Sequence, residues 1–363
     1  MKHYNIPIFI PHQGCPFQCV YCDQKIIASQ QEAPTIREVS EIIERHLATI
    51  PREDAEVEIA FFGGSFTAID QEMQEAYLKA AASYLEDDRV TGIRLSTRPD
   101  CLDEDILQFL GRYGVRTIEL GVQSLDDQVL KMSARGYQAA DVFKACQLIK
   151  EHGFKLGIQL MIGLPGDDRA RDLRTTELSI SMAPDMVRIY PTVVIAGTWL
   201  EQAWSKGEYV PLDLNEAVAI CKDMYLCLAA AGIRVIRMGL QTGEDLRREG
   251  SVVSGPFHPS FGELVQQEVF CEQARMLIGD YLRRVGLQAE LQIWVHPRDL
   301  SLVMGQRRRN ILFLTEYFGM RALLIKTWDG LNRYGIGVSR PHGEKVEMQL
   351  ERRELLERIK RES

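Results

Sequence analysis

Between Thr35 and Ile50 the apolar residues Ile36, Val39, Ile42, Ile43 and Leu47 recur at a helical period, and on both sides the pattern switches to short apolar runs. These runs are NIPIFI (5–10), EVEIAFF (56–62), GIRLST (92–97), VRTIELGV (115–122), FKLGIQLMI (154–162) and MVRIYP (186–191). Helical stretches alternate with them at 71–87, 103–114, 139–153 and 172–182. Turn residues close several strands: Gly63-Gly64, Pro99 and Gly163-Leu164-Pro165-Gly166. Six strands alternating with helices predict parallel β/α units, fewer than the eight of a closed barrel. The expected fold is therefore α/β, a partial (β/α)6 TIM-like barrel over residues 1–205. Its ligand loops belong at the C-terminal strand ends.

The pattern changes after this region. A connecting α/β segment (206–258) holds a helix at 213–231 and a strand at 233–240. His258 follows in a Gly/Pro-rich loop and reads as a turn-fixing histidine. A smaller α+β domain (259–330) starts with a long helix at 261–285 and a strand at 289–295. Two short helices split by GQRR (305–308) and a strand at 321–328 complete it. A charged tail (331–363) ends in a helix at 344–362.

Composition narrows the picture. No apolar run approaches the ~18 residues of a spanning helix, and the start of the chain has no signal-peptide pattern, so a cytoplasmic protein without membrane contact is expected. Eight cysteines in such a chain read as reduced. The net charge of −8 argues against general polyanion binding. Residues 298–326 depart from that balance, with six basic and two acidic side chains.

Three of the cysteines are crowded into GCPFQCVYC (14–22), at Cys15, Cys19 and Cys22. Buried thiols are one reading, but a loop of Gly, Pro and Gln is a poor place for small hydrophobes. Structural zinc is another, but it is normally closed by a fourth Cys or His. The next cysteine is Cys101, and His12 sits in a tight proline-bounded loop. The third is an iron–sulfur cluster on three thiolates, one fewer than usual. Its open iron is then available to a small molecule carrying an amine and a carboxylate.

The spacing Cys-x3-Cys-x-aromatic-Cys, with Tyr21 as the aromatic, resembles the signature of the radical S-adenosylmethionine (SAM) superfamily. FFGGSFT (61–67), STRPD (96–100), ELGVQS (119–124), Arg135-Gly136, GLPG (163–166) and IYPTVVIAGTWL (189–200) follow in order. Residues 5–205 thus resemble the radical SAM core of the Elongator catalytic-subunit family and, more loosely, the oxygen-independent coproporphyrinogen oxidases. The resemblance implies a 4Fe–4S cluster on Cys15, Cys19 and Cys22. It implies SAM contacts at Gly63, Gly64, Ser65, Gln123 and Arg135, the last clamping the methionyl carboxylate. Ser96 stands where both families carry an acidic residue, and Gln159 where the coproporphyrinogen enzymes carry Asp; both are kept as cofactor contacts. The implied chemistry is reductive SAM cleavage to a 5′-deoxyadenosyl radical, fed by an electron donor such as flavodoxin or ferredoxin. No catalytic residue beyond these sites is assigned. The residues after 205 are not expected to form an acetyltransferase domain, so acetyl-coenzyme A chemistry is not carried over.

RDLSLVMGQRRRNILFLTEYFG (298–319) resembles a KH-type RNA-binding unit, in which a GXXG loop between two helices clamps nucleotide backbone. Gly305 matches the first glycine and Arg308 replaces the second. Gly305, Gln306, Arg307, Arg308 and Arg309 are the candidate RNA contacts. RNA, tRNA above all, is therefore the expected substrate. The alternatives are a small molecule such as a porphyrinogen, or a non-catalytic iron–sulfur RNA-binding protein.

Overall fold

The computed structural model describes residues 2–10, 18–22, 32–241, 246, 248 and 250–362. The chain forms two compact units, Met1–Leu214 with Ile233–Pro259, and Asn215–Gly232 with Ser260–Ser363. The segment expected as a connector is divided between them.

The first unit is built on strands β1 (Lys2–Ile10), β2 (Ala55–Gly63), β3 (Val90–Thr97), β4 (Val115–Gln123), β5 (Lys155–Ile162) and β6 (Met186–Pro191). A separate two-stranded antiparallel sheet pairs β7 (Val194–Ile195) with β9 (Val252–Ser254), and β8 (Arg234–Met238) lies between them in sequence. The main sheet runs β1-β2-β3-β4-β5-β6-β8, and every neighbouring pair is parallel. This is the expected partial barrel, with seven strands instead of six. The run at 233–240 supplies the seventh by pairing with β6. Strand β1 starts at Lys2 because pairing with β2 continues to Lys2 opposite Ala55.

Local chemistry explains the helices. Thr35 and Glu38 form a capping box at Ile36–Thr49, and Val39, Ile43 and Leu47 form its buried stripe. The helix expected at 172–182 begins earlier, at Arg169, because the Asp168 carboxylate accepts from the Arg171 amide and caps it. Its buried face is polar, with Asp172, Thr175, Thr176 and Ser179.

The second unit packs the long helix Phe261–Val285 and the short helices Leu300–Met304 and Arg309–Tyr317 with a four-stranded sheet. The sheet order is β11 (Ala322–Thr327), β10 (Glu290–Val295), β12 (Ile336–Ser339), β13 (Met348–Leu350). Phe270, Ile278, Tyr281, Ile293, Leu314 and Val338 are central to its core. The C-terminal segment is not helical from 344. It first adds β13 to β12, and only Arg352–Glu362 is a helix. Arg352 anchors that helix, donating from Nε to Gln273 Oε1 at 3.0 Å and lying over the Phe270 ring.

Candidate functional site

Parallel strands put their C-terminal ends on one rim, and the motif residues follow. Gly63 closes β2 with φ 114°, a backbone state that favours glycine. A Cβ there would lie 2.6 Å from the Ile10 carbonyl oxygen, while the Gly64 amide donates to that same oxygen at 2.8 Å. The two glycines therefore bring bare backbone to the rim. Gln123 ends β4 at a break in register and is buried with φ 68°. A strained, buried polar residue at a strand end is a feature that clusters at ligand sites. Its Oε1 accepts from Gln159 Nε2 at 3.3 Å.

Cys19 and Cys22 are joined by a turn in which the Cys22 amide donates to the Cys19 carbonyl at 3.1 Å. Backbone bonds from Val20 to Ser133 O and from Leu200 to Val20 O fix this turn to the neighbouring loops. Cys15 lies outside the described residues. Two guanidiniums converge on the Cys19 sulfur: Arg135 Nη1 at 3.1 Å and Arg98 Nη1 at 3.8 Å. Arg135 also donates to Tyr21 and Tyr137 hydroxyls and to the Gly121 carbonyl. Arg98 forks onto Asp100 at 2.9 and 3.0 Å and bonds the Arg135 carbonyl. Burial pushes the Tyr21 hydroxyl well above its ordinary pKa, against the pull of Arg135, so it stays protonated.

A cavity of about 680 Å³ unites these groups. Cys19, Cys22, Gly63, Gly64, Ser65, Ser96, Gln123, Arg135 and Gln159 all line it. The donor set fits the implied cofactors. Cationic donors beside Cys19 suit a ligating thiolate, and the Gly63 backbone gives a ligand access that a side chain would close.

Sequence reading missed Arg98, Tyr137, Glu119 and Arg188. Arg98 lay inside a quoted motif without an assigned role. Glu119 and Arg188 had a legible signal: a charged residue within an apolar strand of a parallel sheet. Burial alone would lower the Arg188 pKa, but the Glu119 carboxylate raises it, so the guanidinium is held charged.

The candidate RNA residues form a separate structure in the second unit. Gly305 has φ 71°, and Arg307 and Arg308 are left-handed at φ 51° and 63°. Gln306 is tied through its amide to Gln267 Oε1 at 3.0 Å, and Arg309 Nη1 bonds Asn215 Oδ1 at 2.8 Å. Arg307 and Arg308 are exposed.

Comparison with known proteins supports the same reading. The Radical SAM superfamily profile matches residues 9–177, and the Radical_SAM C-terminal domain profile matches residues 184–270. A tRNA uridine(34) acetyltransferase of Dehalococcoides mccartyi (strain CBDB1) is 30% identical over 243 residues, 58% of this chain and 53% of that protein. Elongator complex protein 3 of Homo sapiens is 30% identical over 276 residues, 68% of this chain and 47% of that protein. The chain thus spans about half the length of these relatives. The solved structure of archaeal Methanocaldococcus infernus Elp3 with an N-terminal deletion shares the fold, with a TM-score of 0.59 and 24% identity. It covers 79% of this chain, which covers 64% of it.

Proposed function

We propose, from the premise that the chain belongs to the radical SAM superfamily, that it is an enzyme using a 4Fe–4S cluster and SAM to modify tRNA. One observation carries this reading: the cluster cysteines Cys19 and Cys22 share a cavity with Gly63, Gly64, Ser65, Gln123 and Arg135. When bound, the cluster and SAM together supply one-electron, hydrogen-abstracting chemistry. Cys15, Cys19 and Cys22 would hold the cluster. Arg98 and Arg135 hold the Cys19 sulfur in place by charge-assisted hydrogen bonds. Gly63 and Gly64 let SAM approach backbone, and Gln123, positioned by Gln159, presents an amide to it. Met161, Val193 and Ile195 give the cavity an apolar wall that keeps water from a reactive intermediate.

Support for tRNA comes from the names of the relatives, which modify uridine in tRNA or belong to Elongator, and from the basic turn of the second unit. In this reading the enzyme works in the cytoplasm and takes electrons from a flavodoxin or ferredoxin. Among the described residues no helix is long and apolar enough to cross a membrane. Mass-spectrometric comparison of tRNA nucleosides from a deletion strain and its parent is the test. The expected result is loss of one modified nucleoside, and identical profiles would remove tRNA as the substrate.

The KH-like turn makes its own prediction. Arg307→Glu with Arg308→Glu is expected to weaken tRNA binding at low salt and to flatten its salt dependence, by a slope of about 0.7 per lost single-strand phosphate contact. Arg308→Gly removes a charge but suits the left-handed backbone at φ 63° and restores GXXG. It should retain or gain affinity in an anisotropy titration. Full binding by the double Glu variant would exclude this turn from RNA contact.

A further inference from the structure

The second unit leaves an apolar stripe facing water. The helix Arg309–Tyr317 buries Asn310, Ile311 and Leu314 and turns its other face outward. Leu312, Phe313 and Tyr317 on that face are 66%, 45% and 54% exposed. Scattered exposed apolar residues are ordinary, but three on one nine-residue helix form a patch. Phe313 and Tyr317 stand one turn apart, with ring centroids separated by 5.6 Å and planes 33° from parallel. Tyr317 is held from two further directions. The Phe318 ring meets it edge-on at 4.9 Å, and the Arg275 guanidinium lies 5.9 Å from its centroid. Glu272 in turn accepts from Arg275 at 2.6 Å. A ring fixed in this way loses little freedom when something stacks on it.

Positive charge adjoins the stripe at one end. Arg309 lies four residues before Phe313 on the same helical row, and it is tied to Asn215 and Glu268. Arg307 and Arg308 precede it in the left-handed turn, and both are exposed. Residues 305–317 hold these three arginines and a single acid, Glu316. At the helical rise, Phe313 and Tyr317 sit about 6 and 12 Å along the axis from Arg309, so rings and guanidiniums reach neighbouring nucleotides of one strand. Three apolar side chains fall far short of the roughly 20–30 residues a side of a stable protein interface. They match one or two bases. Aromatic rings for bases beside cations for phosphates are the two parts of a single-strand site.

We infer that this face of the second unit is a base-stacking platform for a single-stranded RNA segment, with bases on Phe313 and Tyr317 and phosphates on Arg307 and Arg308. Stacking uses the π-face that every base has, so the platform is indifferent to base identity. A duplex, whose bases are already stacked on one another, is refused. None of these residues lines the barrel cavity, so the platform needs neither cluster nor SAM. That the strand is RNA rests on the function proposed above.

Anisotropy titrations of the full chain test this, with a labelled mixed-sequence RNA of ~8 nucleotides, an abasic strand of the same length, and the RNA paired to its complement. Wild type should bind the base-bearing strand roughly tenfold or more tighter than the abasic strand or the duplex. Phe313→Ala with Tyr317→Ala should erase that margin and leave abasic affinity and its salt slope unchanged. Phe313→Leu with Tyr317→Leu keeps the surface apolar but removes the π-faces, and it should erase the margin too. Equal binding of base-bearing and abasic strands by wild type overturns the platform, as does a margin that survives either double variant. A wild-type dimer in light scattering that the Ala pair converts to a monomer also overturns it, by making the face a contact between copies. An unchanged tRNA nucleoside profile in the deletion strain is a separate result, and it strikes the tRNA reading alone.

Discussion

Cys19→Ala is expected to leave the protein folded but without iron after anaerobic reconstitution, and unable to cleave SAM. Cys15→Ala and Cys22→Ala should behave alike. Ala at Cys101, Cys146, Cys221, Cys227 or Cys271 should leave iron content near wild type. The physical grounds differ by position. The Cys19 sulfur is buried at the cavity and accepts from guanidinium donors at 3.1 and 3.8 Å. Burial instead pushes the Cys146 and Cys271 thiols up to about 12, so neither is readily ionised for iron. Cys221 and Cys227 lie on the helix Leu214–Ala230, where Cys221 is buried. Cys101 is the informative control, because its amide bonds the Arg98 carbonyl and so it stands near the site. Iron content and the yield of 5′-deoxyadenosine are the measurements. Loss of iron in Cys101→Ala would mean a four-thiolate site, with no open iron for SAM.

The barrel strands were legible because each is a short, largely apolar run ended by Gly, Pro or a polar motif. What a run cannot state is which strand it pairs with. The seventh strand was therefore visible at 233–240 but not placed beside β6. The helix Arg169–Ser181 was located late by periodicity because its buried stripe is Thr, Ser and Asp. At the site, the strand-end motifs Gly63-Gly64 and Gln123 were legible as residues of one rim, and they line the same cavity. The contacts of Arg135 were not. A carboxylate clamp was expected from its chemistry, and the structure turns its guanidinium onto Cys19, Tyr21 and Tyr137. Such long-range contacts, more than a hundred residues apart along the chain for Cys19, leave no local trace in composition or spacing. Near the C-terminus, charge alone suggested a helix from 344. Pairing of Met348–Leu350 with β12 overrides that local preference.

Arg94→Met is expected to be the most destabilising single change within the barrel, by roughly 3–5 kcal/mol, the usual cost of removing one partner from a buried ion pair. Arg94 is 2% exposed and bridges two carboxylates. Its Nε donates to Glu58 Oε2 at 2.9 Å, and its Nη1 to Glu119 Oε1 at 2.8 Å. Methionine fills much of the volume but leaves both carboxylates short of a cation. An exposed pair gives the contrast: Arg37→Met, which breaks Arg37–Glu41, should cost no more than about 0.5 kcal/mol. Burial by itself would raise the Glu58 pKa, but the hydrogen bond with His3 and the Arg94 charge outweigh it and hold the carboxyl at about 2. The ordinary value for a glutamate carboxyl, taken for the unfolded chain, is 4.5. Its stabilisation, on the order of 3 kcal/mol, is therefore complete above pH 4.5 and is lost as the pH falls through 2. Without Arg94 the folded pKa moves back toward the unfolded value, and that acid-sensitive share of stability shrinks. Urea midpoints at pH 7 and across pH 2–5 measure both effects. A variant with the wild-type midpoint at pH 7 and the wild-type acid limb would show that the chain of charges does not stabilise the barrel.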